Sequence, residues 1–506
     1  MNFTKPTKKV VIRREIVQIK PASTALSGRP AVRPGAASRY KLTPTTKSHS
    51  TPSSSPAPKK TSPKKTVEKR AIANSRGTKR ASDSPVFSSD EEDSSDVGGS
   101  DSDASRKRIK SSVSSLDSHG GPRRIIFSKK AFEGGTAKLS FIHGADAIAG
   151  KQASKYENPW GLAETTTIEL QYPSRSQRER FALKWPKGDR DEYKPFDDLV
   201  HTIDTIATFY FPEKLSSEYT DEANGFFRRL NRAFQHKSVS EWVSLIEEFN
   251  KILKPLVEDG SIQRELRGQA KLHLNWVKRI LDQIFSRTVS PKAEVLNSYK
   301  IGGDNVYGEL LPRFVSDIFT HTKLNHEQMF IDLGSGVGNV VLQAALEVGC
   351  ESWGIEMMKN PCDLAELQAA EFNARARLWG LDVGTVKLLR GDMTAHEKIP
   401  GILQRADVVL VNNQAFTPEL NDKLINMFLD LKEGAKVVSL KPFVPLSHKM
   451  AMRNIDSVVN QFVQIQREYF SDSVSWSHSG NQHWYIATKD TRPLKIFRRK
   501  MGLDTA

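Results

Sequence analysis

The segment Asp332-Leu333-Gly334-Ser335-Gly336-Val337-Gly338-Asn339 places an acid and then three glycines at alternate positions, directly after the apolar run Met329-Phe330-Ile331. Glycines permit a tight turn and let a ligand approach the backbone. A dinucleotide fold shows Gly-x-Gly-x-x-Gly, which seats a pyrophosphate on a helix N-terminus; here the third glycine comes one residue early. An acid in place of a phosphate cradle favours a cationic ligand. S-adenosylmethionine fits, because its ammonium can pair with the Asp332 carboxylate and it has no phosphates to place. On this loop alone a nucleotide, or a glycine turn with no ligand, stays open.

Three further apolar runs end in polar residues. Glu356 stands 18 residues after Gly338, where an acidic side chain can accept hydrogen bonds from both ribose hydroxyls, a feature shared with dinucleotide enzymes. Asp392, in Arg390-Gly391-Asp392-Met393, can take an adenine amino group while Met393 packs against the ring, although a lone Gly-Asp also makes a turn. Asn412-Asn413-Gln414-Ala415-Phe416 sets an amide before an aromatic, and resembles the motif by which many amino-methylating enzymes hold a target nitrogen. Agreement among four strand ends is more specific than any one of them.

These residues need a scaffold, and the chain from about 329 supplies one. Short apolar runs (Met329 to Leu333, Ser352 to Glu356, Val386 to Arg390, Asp407 to Val411, Ala435 to Leu440) alternate with helical stretches (Asn339 to Val348, Pro361 to Trp379, Pro418 to Leu431). That alternation predicts an α/β fold with a Rossmann-like parallel sheet covered on both faces, whose ligands bind at the carboxyl ends of the strands. Between about 122 and 300 the reading is mostly helical. Phe226 to Phe234, Val239 to Leu253 and Leu272 to Phe285 carry apolar residues at three- and four-residue spacings, so their aromatics belong to a core. No nucleophile–base pair or metal cluster stands out there, and the region reads as a scaffold or lid.

The remaining sequence differs in composition. Of 506 residues 38% are hydrophobic, and the net charge of +16 is uneven. Residues 1–80 hold 20 Lys and Arg against two acids, whereas 121–506 come to +3. Such a tail, rich in Ser, Thr, Pro and Ala, cannot bury enough apolar surface to offset its ordering entropy, so residues 1–121 are expected to be disordered. Its basic clusters suit phosphate neutralisation or nuclear import, and Ser62-Pro63-Lys64-Lys65 suits a turn along a minor groove. The acidic patch 88–103 reads as a kinase target, an internal screen or a solubilising linker. Two cysteines, Cys350 and Cys362, exclude a disulfide framework and match no common zinc spacing. With no apolar run near 18 residues, the expectation is a soluble, intracellular protein without a membrane partner or a bound metal.

Taken together, the residues resemble the disruptor-of-telomeric-silencing class of histone lysine methyltransferases, which modify nucleosomal histone H3 at lysine 79 without a SET domain. The resemblance rests on Val306 to Pro312, Asp332 to Asn339, Gly354-Ile355-Glu356, Gly391-Asp392, Asn412 to Phe416, Ser439 to Phe443 and Val474-Ser475-Trp476. It covers about 175 to 492 and implies a class I S-adenosylmethionine-dependent fold, with a helical subdomain over 122–300, a catalytic domain over 301–492 and a tail over 493–506. The basic extension resembles that of fungal members, where it assists nucleosome binding.

Residue by residue, the resemblance implies that Tyr307, Gly308, Glu309 and Leu310 form a loop over the methionine end of the donor. Phe330, Ile331, Asp332, Leu333, Gly334, Ser335, Gly336, Val337, Gly338 and Asn339 form its floor. Glu356 would hold the ribose, and Asp392 with Met393 the adenine. Asn412 would lie beside the transferring methyl group, with Phe416, Trp476, Trp484 and Tyr485 lining a lysine channel. The family usually has Phe at Gln414 and Tyr at Trp484, so the channel is expected to be more polar at one point and bulkier at another. Expected partners are histone H3, the H4 tail, ubiquitinated H2B and nucleosomal DNA, in the nucleus. Two alternatives stay open: a methyltransferase of RNA or a non-histone protein, and a non-catalytic chromatin-binding module whose strand-end polar residues are structural.

Overall fold

The apolar runs pair into one seven-stranded sheet in the computed structural model, which describes residues 124–161, 166–188, 192–269, 271–298, 308–470, 473–475 and 483–503. The basic tail and its acidic patch lie outside the described residues. Eleven strands are present among them. β1 (Tyr156–Glu157) pairs with β4 (Trp185–Pro186), and β2 (Thr167–Leu170) with β3 (Glu179–Ala182), as two antiparallel ribbons. The large sheet runs β10 (Phe462–Glu468), β11 (His483–Lys489), β9 (Lys436–Ser439), β8 (Val408–Val411), β5 (Met329–Leu333), β6 (Glu351–Glu356), β7 (Val386–Arg390).

From β5 the chain winds outward through β6 and β7, then returns to β8 on the other side of β5 and goes on to β9, all parallel. The reversal makes a switch point between β5 and β8, where the carboxyl ends of the strands open a crevice. β11 enters antiparallel between β9 and β10. The strand–helix alternation read from the sequence stops at Leu440 and does not anticipate this pair.

Helices cover both faces. α8 (Pro312–Thr322) and α9 (Asn339–Gln343) bury Phe314, Ile318 and Val340 with Phe330, Leu410 and Val438 on one side. α11 (Ile399–Arg405) and α12 (Pro418–Met427) bury Ile402, Leu403 and Leu424 with Ile331, Leu333 and Val409 on the other. The helix expected over Asn339 to Val348 is α-helical only to Gln343 and continues as a π-helical turn, Ala344–Val348.

The segment before the sheet carries α1 (Gly144–Ala147), α2 (Pro195–Phe209), α3 (Glu213–Thr220), α4 (Phe226–Gln235), α5 (Val239–Glu258), α6 (Ser261–Gly268) and α7 (Leu274–Thr288). Their apolar faces form a core that takes in Phe372, Leu378 and Trp379 of α10 (Lys359–Leu378) and its C-terminal cap. Inside it lies a buried ionic network. Glu179 accepts from Arg287 Nη2 and Arg375 Nη1, each at 2.7 Å, and Arg287 also reaches Asp198 at 2.5 Å. Arg375 pairs with Glu371 one turn back on α10 at 2.7 Å, and Ile142 N donates to the second Glu371 oxygen at 2.8 Å. Buried charges of this kind persist only when paired and hydrogen-bonded, so the network fixes α10 in rotation and height against the N-terminal segment. α9 carries Asn339 and Val340 to the crevice, and the locked α10 packs against α9.

Candidate functional site

After Asp332 the chain turns through Gly334 (φ +87), Gly336 (φ +53) and Gly338 (φ +86), a left-handed series that side-chain-bearing residues rarely adopt. The turn is pinned to the neighbouring strand. Gly334 N and Ser335 N both donate to Ile355 O at 2.9 Å, and Gly336 N donates to Glu356 Oε2 at 3.0 Å. Glu356 Oε1 accepts from Met358 N at 2.7 Å, so this carboxylate organises two loops at once. Close approach also dictates Gly354: a Cβ there would lie 2.7 Å from Ser335 Oγ and 2.8 Å from Val341 Cγ2.

The crevice at the switch point is lined by the glycine loop, Glu356, Met393, Asn412, Phe416 and a strap over residues 308–310. Among the described residues three carboxylates line it (Glu309, Asp332, Glu356), and no lysine, arginine or histidine does. Asp332 is buried and pairs with no cation among the described residues; burial, and then the neighbouring Glu356 charge, push its carboxyl up to about 7. Such a surface repels phosphate and attracts a cation.

Asn412 closes the far wall. Its Nδ2 donates to Gly308 O at 3.1 Å, while Oδ1 is buried with no hydrogen-bond partner among the described residues. An unmet buried acceptor costs about 1–3 kcal/mol, which makes it a natural seat for a ligand donor. Next to it Asn413 is fully used, holding Leu440 N, Lys441 N, Lys441 O and Asn421 Oδ1 and so tying the end of β8 to the end of β9. Phe416 and Met393 come to within 3.8 and 3.9 Å of where a Gly334 Cβ would stand.

The strap is held by the segment around Val474. Leu310 bridges Val474, Leu311 N donates to Ser473 O and Ser475 N to Glu309 O, each at 2.9 Å, and Ser475 Oγ accepts from Glu309 N at 2.9 Å. Glu309 Oε1 accepts from Asn339 Nδ2 at 3.0 Å. Thus two sequence-distant motifs, 308–311 and 473–475, are one layer over the crevice. Sequence reasoning gave Ser475 no role, because its partner is a backbone amide 166 residues away.

Several other expected residues lie outside this lining. Phe330 is fully buried in the core on one face of the sheet, Ile331 and Leu333 in the core on the other, and none of the three is among the residues lining the crevice. Gly338 caps α9 from outside the lining. Asp392 is exposed and off the crevice, its Oδ1 accepting from Thr394 N and Oγ1 at 2.7 and 2.9 Å in a local turn; Gly391 and Met393 line the crevice on either side of it. Trp484 is buried against Phe314 and His321, with Nε1 donating to Glu468 O, and Tyr485 projects from the opposite face of β11, so neither lines the crevice. Burial pushes the Tyr485 hydroxyl up. Gln414 is exposed outside the lining. Tyr307 and Trp476 lie outside the described residues.

A parallel sheet with this order, an antiparallel strand inserted beside its edge, and an acidic glycine loop at the switch point define a class I methyltransferase fold. Comparison with known proteins narrows the class. The model of the family "Histone methylation protein DOT1" matches residues 285–489. A protein of Aspergillus fumigatus named "Histone-lysine N-methyltransferase, H3 lysine-79 specific" is 47% identical over 428 residues, covering 84% of each chain. An Emericella nidulans protein of the same name is 48% identical over 398 residues, covering 78% of each. The chain belongs to this family.

Proposed function

We propose that this protein transfers methyl groups from S-adenosylmethionine to lysine 79 of histone H3 in the nucleosome, in mono-, di- and trimethylation, and acts on chromatin in the nucleus. One observation carries the reading: among the described residues, Asn412 Oδ1 is buried without a hydrogen-bond partner in a crevice lined by three carboxylates and no basic side chain. The residues fit the donor. Asp332 would take its ammonium, Glu356 its ribose, Met393 its adenine ring, and the strap Gly308 to Leu310 would cover its methionine end. When bound, the donor supplies an electrophilic methyl on a sulfonium.

The chain's own task is to present a neutral amine. Free lysine has a pKa of about 10.4, and burial disfavours the ammonium. Asn412 cannot act as a base; its open Oδ1 accepts an amine N–H and so aims the nitrogen lone pair, while Phe416 excludes water. Catalysis then comes mainly from positioning. Residues 122–300 serve as scaffold and 301–492 as the catalytic domain, and the basic tail supplies sequence-independent affinity for nucleosomal DNA. The family resemblance adds the H4 tail and ubiquitinated H2B as further partners.

Transfer of label from S-adenosylmethionine to intact nucleosomes and to free H3, with the modified residue located by mass spectrometry, tests the reading. Label is expected on lysine 79 of nucleosomal H3 and is expected to vanish in Gly336→Arg. Label on RNA or another protein would move the substrate, and absence of both transfer and donor binding would refute the enzyme.

A further inference from the structure

The crevice is positioned by a residue that does not touch it. Gln368 sits in the middle of α10 and is 1% exposed. Its Nε2 donates to Val337 O at 2.6 Å and to Asn339 Oδ1 at 2.8 Å. The first acceptor is a backbone carbonyl, which can only accept, so the atom facing it must be the NH2 group. The same NH2 group then requires an oxygen from Asn339. With Oδ1 committed inward, Asn339 must turn its own NH2 outward, where it meets Glu309 Oε1 at 3.0 Å. A carboxylate also only accepts, so the chain of polarity is fixed from both ends.

We propose that Gln368 is a positioning residue for the methyl donor: it sets the amide sense of Asn339 and through it the place of Glu309 on the strap. The proposal rests on the donor reading of the crevice given above. Without the Gln368 NH2 group, Asn339 is held in this sense from one end alone, by its bond to Glu309 Oε1, and its Oδ1 is left without its donor; a flipped Asn339 would present its oxygen to the Glu309 carboxylate. The strap would lose its anchor on the donor loop while keeping its links to Ser475 and Asn412.

The helix that bears Gln368 is itself immobilised. Gln368, Glu371 and Arg375 lie at i, i+3 and i+7 on α10, one buried polar stripe in an otherwise apolar face. Glu371 and Arg375 are held by Ile142 N, Ile142 O and Glu179 of the N-terminal segment. Helical residues before the sheet therefore bear on the donor site through α10, with Gln368 as the last link. Polar groups left unpaired in such a network are costly, which explains why the stripe is complete.

A double-mutant cycle decides the matter on the full chain. Gln368→Met keeps the length and removes the donor group. It is expected to raise the donor dissociation constant about tenfold, the cost of one buried hydrogen-bond partner. KM for nucleosomes and kcat should stay within about twofold of wild type, the scatter of independent sites. In an Asn339→Leu background the same Gln368→Met change should add less than about twofold, because its route is already cut. Equal factors in the two backgrounds would overturn the proposal, as would a general loss in which nucleosome affinity, kcat and melting temperature fall together. Should the methionine variant not fold, Gln368→Glu keeps the volume, puts acceptors against Val337 O and Asn339 Oδ1, and must show the same donor-specific loss. Because the cycle is read by calorimetry of donor binding, it is valid whatever the acceptor is; a wild-type chain that binds no donor would refute the donor reading instead.

Discussion

Asp332 is a carboxyl whose hold on its proton is set by where the strand leaves it. The unfolded chain releases this proton at about pH 3.9, whereas the folded, donor-free protein holds it to about 7. Between those values the folded state binds the extra proton, so the contribution of Asp332 to stability is present at low pH and is lost as pH rises toward 7. A donor ammonium reverses the preference and draws the ionised form. Donor binding is therefore expected to release a proton near neutrality and to weaken roughly tenfold per pH unit below 7. Calorimetry in buffers of different ionisation enthalpy reads both effects; a flat profile from about pH 8 to 6, or the same slope in Asp332→Asn, would remove Asp332 from ammonium binding. At this scale the sequence was legible where a polar residue ends a buried run, as at Asp332, Glu356 and Asn412. It was not legible at Trp484, where an aromatic near a motif faces the core because β11 alternates, or at Gln368, whose partner is a loop 29 residues earlier.

The elements that carry those residues are set by a close approach of the loop to a strand. The donor loop lies on β6 so tightly that Gly354 has no room for a methyl group. Gly354→Ala should lower stability by about 1–3 kcal/mol, the usual cost of overpacking. It should also weaken donor binding, since the atom to be displaced is Ser335 Oγ, inside the loop. A lower melting temperature with unchanged donor affinity would mean that β6 yields and the loop does not. Strands β5 to β9 could be read from the sequence because each is a short, mainly apolar run between helices, those of β5 and β8 buried throughout. β10 and β11 could not be reached by that rule, because they pair antiparallel at an edge and β10 leaves Val463 and Ile465 exposed. The π turn at Ala344–Val348 has no periodicity that separates it from the α-helix before it.

For the whole molecule the sequence separates two kinds of chain by charge. Residues 1–80 carry 20 basic residues against two acids, and 121–506 are nearly neutral at +3. A few of the charges in the second part are paired internally: Glu179, Asp198 and Glu371 meet Arg279, Arg287 and Arg375 in a buried network that no hydrophobic pattern could reveal. A part whose opposite charges nearly cancel has little net charge for long-range attraction to a polyanion, and the first 80 residues hold most of that attraction. Deleting 1–121 should then weaken nucleosome methylation and flatten its salt dependence, by roughly 0.9 in the slope of log affinity against log salt for each phosphate the tail no longer neutralises. Donor affinity, set at the far end of the chain by Asp332 and the strap, should not change. Titration of donor and of nucleosomes at several salt concentrations, with and without the deletion, separates the two. If donor and nucleosome binding fell by the same factor, the tail would be part of the catalytic fold; if neither fell, the folded surface alone would carry the DNA attraction and the neutral balance of 121–506 would conceal a local basic face.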